Sequence, residues 1–300
     1  MYYEIQLEIE KACFLDCLHC SSLETRTIKN LNYTIDDITN FLGLFDNNIT
    51  LYLTGGEPLI SNNLKPILNK LKNFNNVNPG IFTCGIFSHN LNEINFSDKF
   101  ENDYLKTLKN CYISIYSLIP EEHDKITNLE NSLVTTLKSI QNLIEIGVDV
   151  KIHLVINKFN INKIEETITN LAKLGVSEVR ILKLVKNGNA TNNWDIIGVD
   201  DDIQDLVIKD IFLKKDSYNI KVTFSGFPEM IGCRPFKDSI GCQAGCKLLY
   251  ITIDGDVFPC ACTKSMPKYK IGKITELNKI QSYLTNIKKI QYYEKCLKNL

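Results

Sequence analysis

Alternation opens the chain. Tyr3, Ile5, Leu7 and Ile9 interleave with Glu4, Gln6, Glu8 and Glu10, the period of two that buries one face of a strand and leaves the other polar. Ile49 to Thr54 predicts a second strand, which runs straight into Gly55-Gly56-Glu57-Pro58, and Leu64 to Leu71 follows with helical spacing. Further strands are predicted at Gly80 to Thr83, Tyr112 to Tyr116, Val150 to Ile156 and Val179 to Leu184. Among the helices between them, Leu133 to Ile146 and Ile164 to Leu174 space their apolar residues by three and four. Each stops at a glycine, Gly147 or Gly175.

Strands alternating with helices over residues 1–190 predict about six βα units and a parallel sheet. The expected class is α/β, a partial or complete (β/α)6 barrel of the TIM type. After Asp200 to Lys215, a predicted helix with acidic residues at its start, the texture changes. Cysteines and glycines crowd together from Gly232, and Leu248 to Ile253 and Val257 to Cys260 flank Asp254-Gly255-Asp256, a hairpin signal. The expected division is a barrel over residues 1–215 and a small cysteine-rich domain over 216–300.

A chain of 300 residues buries a sizeable core without staples, and its net charge of -1 offers no positive field for nucleic acid or an anionic membrane surface. No apolar run reaches membrane-spanning length and the start has no signal-peptide core, so the expectation is a cytoplasmic protein. In a reducing compartment, 11 cysteines point to metal or redox chemistry before disulfides. Cys13, Cys17 and Cys20 form one group, and Cys233, Cys242, Cys246, Cys260, Cys262 and Cys296 a second, with Cys84 and Cys111 between. Two thiolate sites are implied. The only arginines are Arg26, Arg180 and Arg234 in a chain rich in Lys, Asn and Ile, which reads as genome composition.

Cys13-x3-Cys17-x2-Cys20 supplies three thiolates, and a four-iron cubane held by three protein ligands leaves one iron open to substrate or cofactor. The spacing also admits zinc completed by His19, although neighbouring His19 and Cys20 would bind one zinc awkwardly, or simply buried cysteines. Both this cluster and the Gly-Gly-Glu-Pro turn follow predicted strands, at the C-terminal ends where β/α barrels build active sites. Gly55 and Gly56 permit close backbone approach, Glu57 offers an anionic acceptor, and Pro58 fixes the exit from the turn.

Those two motifs, in this order, resemble the radical S-adenosylmethionine superfamily. The resemblance implies that the open iron chelates the amino and carboxylate groups of S-adenosylmethionine, that Gly55, Gly56, Glu57 and Pro58 hold its ammonium end, and that His19 fills a position commonly aromatic. It places Thr83-Cys84-Gly85 where Thr-Asn-Gly often stands, so Thr83 belongs with the cofactor contacts. Cys84 is a departure, either a core residue or a hydrogen-atom donor. Ser114 matches a ribose-contacting position, Tyr116 shares its side of the strand, and Asn157 and Lys183 stand where further cofactor or substrate contacts occur. His89, His123 and His153 receive no role.

Cys242, the hairpin glycine Gly255, and Cys260 five residues beyond it resemble the start of a SPASM or shorter twitch extension. Six cysteines are too few for two auxiliary clusters, so one [4Fe-4S] cluster on Cys233, Cys242, Cys260 and Cys296 is expected, with zinc as the alternative. Cys246 and Cys262 remain as alternative ligands or, with Cys84, as functional thiols.

The implied activity is reductive cleavage of S-adenosylmethionine to a 5'-deoxyadenosyl radical that modifies a ribosomally made peptide, by thioether or carbon-carbon crosslinking or by epimerisation. Oxidation of a sulfatase active-site residue and small-molecule cofactor biosynthesis are the enzymatic alternatives. An iron-sulfur electron carrier or sensor is the non-enzymatic one. Expected partners are the precursor peptide and a reductant such as flavodoxin or ferredoxin; since little precedes Tyr3, either a separate leader-binding protein or the barrel itself is expected to recognise the peptide.

Overall fold

The computed structural model describes residues 2–21, 30–86, 104–227 and 243–286. The opening alternation becomes strand β1 (Tyr2–Glu10), with Ile5, Leu7 and Ile9 fully buried on one face. Strands β2 (Asn48–Gly55), β3 (Val77–Thr83), β4 (Asn110–Ile115), β5 (Val150–Val155) and β6 (Glu178–Leu182) follow, each joined to its predecessor in parallel. Their outer faces, including Leu51, Leu53, Ile81, Ile113, Ile152 and Ile181, pack into one core with helical residues such as Phe41, Leu68, Ile140 and Ile168. Each such side chain contributes about 1.5–3 kcal/mol by leaving water. The expected parallel β/α barrel is what forms.

The sheet is longer than six strands. β7 (Lys221–Ser225) pairs in parallel with β6, and β8 (Leu248–Ile251) pairs in parallel with the other side of β1. β9 (Asp256–Phe258) and β10 (Gly272–Lys273) complete an antiparallel meander, giving the order β10-β9-β8-β1-β2-β3-β4-β5-β6-β7. The boundary expected at 215/216 therefore falls just before a strand that extends the barrel sheet. The hairpin predicted at Asp254-Gly255-Asp256 does form, with Gly255 at φ +79.

The inner face is polar and aromatic. Tyr52, Phe82, Tyr112 and His153 form a layer of rings, with Tyr52 stacked on Phe82 at 4.3 Å and Tyr112 on His153 at 4.4 Å. Register sets Ser114, His153, Arg180 and Thr223 side by side on β4 to β7.

Candidate active site

The loop carrying Cys13, Cys17 and Cys20 leaves the C-terminal end of β1. Glu10 shapes its first turn, its buried carboxylate accepting from the backbone N–H groups of Lys11 (2.8 Å) and Ala12 (3.0 Å). Two distant segments then fix the loop. Asp16 and Leu18 donate their N–H groups to the carbonyls of Thr127 and Ile126, at the end of the helix Pro120–Thr127. From beyond β6, Asn189 donates its backbone N–H to the Cys20 carbonyl at 2.8 Å and its side-chain amide to Cys17, while Asn193 reaches the Leu18 carbonyl. Gly188 lies so close to Cys20 that a Cβ would stand 2.4 Å from its carbonyl oxygen. The three cysteines share a small apolar cluster with Leu15, Ile86 and Tyr116.

The glycine motif is docked on the same loop. Gly56 donates to the Glu10 carbonyl and Glu57 to the Ala12 carbonyl, both at 2.8 Å. A Cβ on Gly55, at φ +139, would lie 2.0 Å from the Glu10 oxygen, and one on Gly56 would lie 2.2 Å from the Ala12 oxygen. The glycines are thus required by backbone packing inside the protein, independently of any ligand.

Glu57 is 1 % exposed, and its carboxylate meets four protein donors. Oε1 accepts from Leu59 N–H at 2.9 Å and the Thr83 hydroxyl at 2.6 Å. Oε2 accepts from Cys84 N–H at 2.8 Å and the Cys84 thiol at 3.0 Å. Burial lifts its pKa above the ordinary carboxylate value, against the pull of these hydrogen bonds. Glu57 thus ties the end of β2 to the end of β3. The Cys84 thiol is pushed well up by burial, then by Cys13 and Glu57, and stays protonated as Glu57's donor.

Other expected contacts divide. Ser114 faces inward on β4, and Tyr116, just past the strand, packs on His19 with ring centroids 4.4 Å apart. Asn157 is committed to the fold: its amide donates to the carbonyls of Tyr116 and Val155, and its oxygen accepts from Phe159 N–H. Lys183, one residue beyond β6, pairs with Asp201 (3.3 Å) and Asp205 (3.4 Å).

Of the second cysteine group, Cys246, Cys260 and Cys262 are described, and they lie at the opposite end of β1. Gly245 N–H bonds the Pro259 carbonyl at 3.0 Å, which brings the neighbours of Cys246 and Cys260 together, and Glu4 near the start of β1 donates to the Lys247 carbonyl. Cys260 is buried with Ala244, and Leu248, Cys262 and Tyr269 pack around it. Cys233, Cys242, Cys296, His89, Arg26 and Arg234 lie outside the described residues. Of the three cysteines considered as functional thiols, Cys84 alone stands at the loop end.

Among the described residues, no three His, Cys, Asp or Glu side chains gather round one metal ion. The His19 ring is turned to Tyr116. A cubane asks each thiolate for a different iron, and the 13–20 loop fits it: the Cys17 thiol is driven well above its usual pKa by burial, then by the charges of Cys20 and Cys13. Three thiols crowded in an apolar pocket are relieved by a cationic cluster. Cys13, Cys17 and Cys20 would hold it, supported by Asn189 and Asn193, which sequence spacing alone does not reveal.

A family profile described as an iron-sulfur cluster-binding domain, SPASM, matches residues 242–298. In sequence, the chain is 25 % identical over 266 residues to a "Probable GTP 3',8-cyclase" of Saccharolobus islandicus, covering 86 % of this chain and 82 % of that protein. It is 27 % identical over 272 residues to the antilisterial bacteriocin subtilosin biosynthesis protein AlbA of Bacillus subtilis, covering 85 % of this chain but 54 % of AlbA. In structure, it resembles Streptococcus suis SuiB bound to its precursor peptide SuiA, with TM-score 0.72 at 16 % identity over 97 % of this chain and 67 % of SuiB. It also resembles anSMEcpe with bound AdoMet, with TM-score 0.68 at 14 % identity over 99 % of this chain and 83 % of that one. Among the described residues, no helix is long and apolar enough to cross a membrane. With a SPASM match over residues 242–298 and relatives that span the barrel as well, the chain is similar to radical S-adenosylmethionine enzymes that carry a C-terminal SPASM-type domain.

Proposed function

We propose that the protein modifies a ribosomally made peptide, and that the modification is an oxidative crosslink, thioether or carbon-carbon. The observation that carries the peptide reading is the likeness to SuiB, solved with its precursor peptide, over 97 % of this chain; the AlbA match supports it. When bound, S-adenosylmethionine and the reduced N-terminal cluster supply the hydrogen-abstracting radical. Cys13, Cys17 and Cys20 hold that cluster. The Gly55–Pro58 turn, Thr83, Ser114 and Tyr116 shape the cofactor's seat, and Glu57 keeps β2 and β3 together beneath it. Asn157 and Lys183 act from behind, through the strand ends and the helix Asp201–Lys214 that they fasten.

A crosslink takes two hydrogens from the peptide, so a second electron must leave the substrate. Cys233, Cys242, Cys260 and Cys296 would hold an auxiliary iron-sulfur cluster, which would supply an electron acceptor for that step. Epimerisation instead needs a thiol to return a hydrogen atom, and Cys84 is already donating to Glu57.

The test is co-expression with short peptides encoded nearby, followed by mass spectrometry after turnover in deuterated water. A loss of two hydrogens without carbon-bound deuterium supports the crosslink; one deuterium gained at an α-carbon sinks it in favour of epimerisation. The GTP 3',8-cyclase similarity favours a second reading, a nucleotide substrate. Consumption of GTP with no peptide modified would establish that reading.

A further inference from the structure

Three of the six buried polar side-chain atoms without a hydrogen-bond partner among the described residues belong to two adjacent side chains: Arg180 Nε, Arg180 Nη1 and His153 Nε2. Arg180 is 6 % exposed and His153 9 %. They are cross-strand neighbours on the inner face of the barrel, and His153 is in turn the register neighbour of Ser114, on the way to the cofactor end. A buried guanidinium with open N–H groups is costly unless something accepts from it.

The local charge count is also incomplete. Glu178 takes Lys221 on Oε2 at 2.7 Å and Arg180 Nη2 at 3.3 Å from Oε1, while Oε1 also accepts from Tyr112 (2.9 Å) and Thr223 (2.6 Å). One carboxylate thus faces two cations. Glu4, the other acid near Arg180, takes Gln6 at 2.7 Å; burial raises its pKa, against the pull of the Arg180 charge and of that hydrogen bond. Tyr112 lies under the guanidinium, 4.0 Å from ring centroid to Cζ, and fixes its plane. Burial and the Arg180 charge hold His153 neutral, so it adds a hydrogen-bonding nitrogen without a competing charge.

We propose that Arg180, with His153 beside it, anchors a carboxylate of the substrate inside the barrel, below the strand ends that seat the cofactor. On the peptide reading above, which this inference extends, that carboxylate is an acidic side chain or the peptide's C-terminus. An anchor at this depth fixes which substrate hydrogen faces the radical, so it sets regioselectivity as well as affinity.

The experiment uses the full chain, anaerobically reconstituted and loaded with S-adenosylmethionine, and reads binding by ligand-observed NMR. The probes are N-acetyl-glutamate α-amide for a side-chain carboxylate, N-acetyl-alanine for a C-terminal one, N-acetyl-glutamine α-amide as the neutral control, and GTP. The expected result is binding of one of the acids and not of the amide, weakened about 10–100-fold by Arg180→Gln and partly restored by Arg180→Lys. Which acid binds tells the two sources apart. Iron content and circular dichroism check the fold of each variant, and the acid-against-amide comparison on the unaltered protein needs no variant. Equal binding of acid and amide, no binding of either acid, or affinity indifferent to Arg180→Gln overturns the anchor and leaves an ordered water as the occupant. GTP bound through Arg180 with both acids excluded overturns it too, in favour of a phosphate. The peptide reading fails separately: if no peptide is modified while an acid still binds through Arg180, the anchor holds and its substrate is a small acid.

Discussion

The two ends of β1 carry cysteines in different settings. Past its C-terminal end, the 13–20 loop is held by backbone and amide hydrogen bonds from segments 126–127 and 188–193, with the glycine motif docked on its start. Beside its N-terminal end, Cys246 and Cys260 are joined through one hairpin and a Gly245–Pro259 bond. Between them runs a nine-residue strand, roughly 25–30 Å long. The first end is built into the barrel from several elements, whereas the second is an edge addition through β8. The proposed reacting centre therefore depends on the whole fold, and the proposed electron sink on a local one.

Removing the ligands at each end should separate the two roles. Replacing Cys13, Cys17 and Cys20 together by Ala should lower the iron from about eight to about four per chain and abolish 5'-deoxyadenosine formation, read by iron assay and chromatography. Full iron with normal turnover would end the N-terminal assignment. Cys260→Ala should also cost about four irons yet leave 5'-deoxyadenosine formation measurable while peptide modification stops. If both activities vanish together, the auxiliary end is not the separate module that its edge position suggests.

Gly56→Ala should act on the first end alone. Its Cβ meets two backbone oxygens, those of Ala12 at 2.2 Å and Lys11 at 2.4 Å, and backbone cannot swing aside as a side chain can. A loss of about 2–4 kcal/mol in unfolding free energy, together with weakened S-adenosylmethionine binding, is expected by denaturant titration and calorimetry. Unaltered stability would mean that the loop yields and that the comparison between a rigid and a modular end is overdrawn.

Much of this contrast was legible in the sequence, because β1 alternates and the Cys and Gly motifs are local patterns. What spacing could not show is who holds them. Asn189 and Asn193 act on Cys17, Leu18 and Cys20 from more than 160 residues away, so only the return of the chain after β6 brings them there. Glu57 reads as a ligand for the cofactor's ammonium, yet its four donors come from its own turn and from β3, a neighbour that exists only once the sheet forms. β7 was hidden because Lys221–Ser225 is short and lies in the cysteine-rich third of the chain, and its role is to pair with β6. Arg180 looked like one of three scattered arginines, and it is distinguished only by burial beside His153.

The joint between the ends carries the smallest expected effect, that of Tyr250→Phe. Glu8, on the inner face of β1, accepts from Tyr250 and from Ile253 N–H (3.1 Å) on the β8 side, and pairs with Lys264 at 3.1 Å, tying the edge addition to the barrel strand. Glu8 and Lys264 are both largely buried, so removing the cation leaves a charge without its partner. Lys264→Met should therefore cost about 3 kcal/mol, and Tyr250→Phe, which deletes one donor among three, about 1 kcal/mol. In thermal unfolding the second change amounts to a midpoint only about 2–4 °C lower. Iron at the first end should stay in both variants. A joint that transmits only stability would behave in this way. Loss of N-terminal iron in Lys264→Met would show instead that the two ends of β1 assemble as one unit.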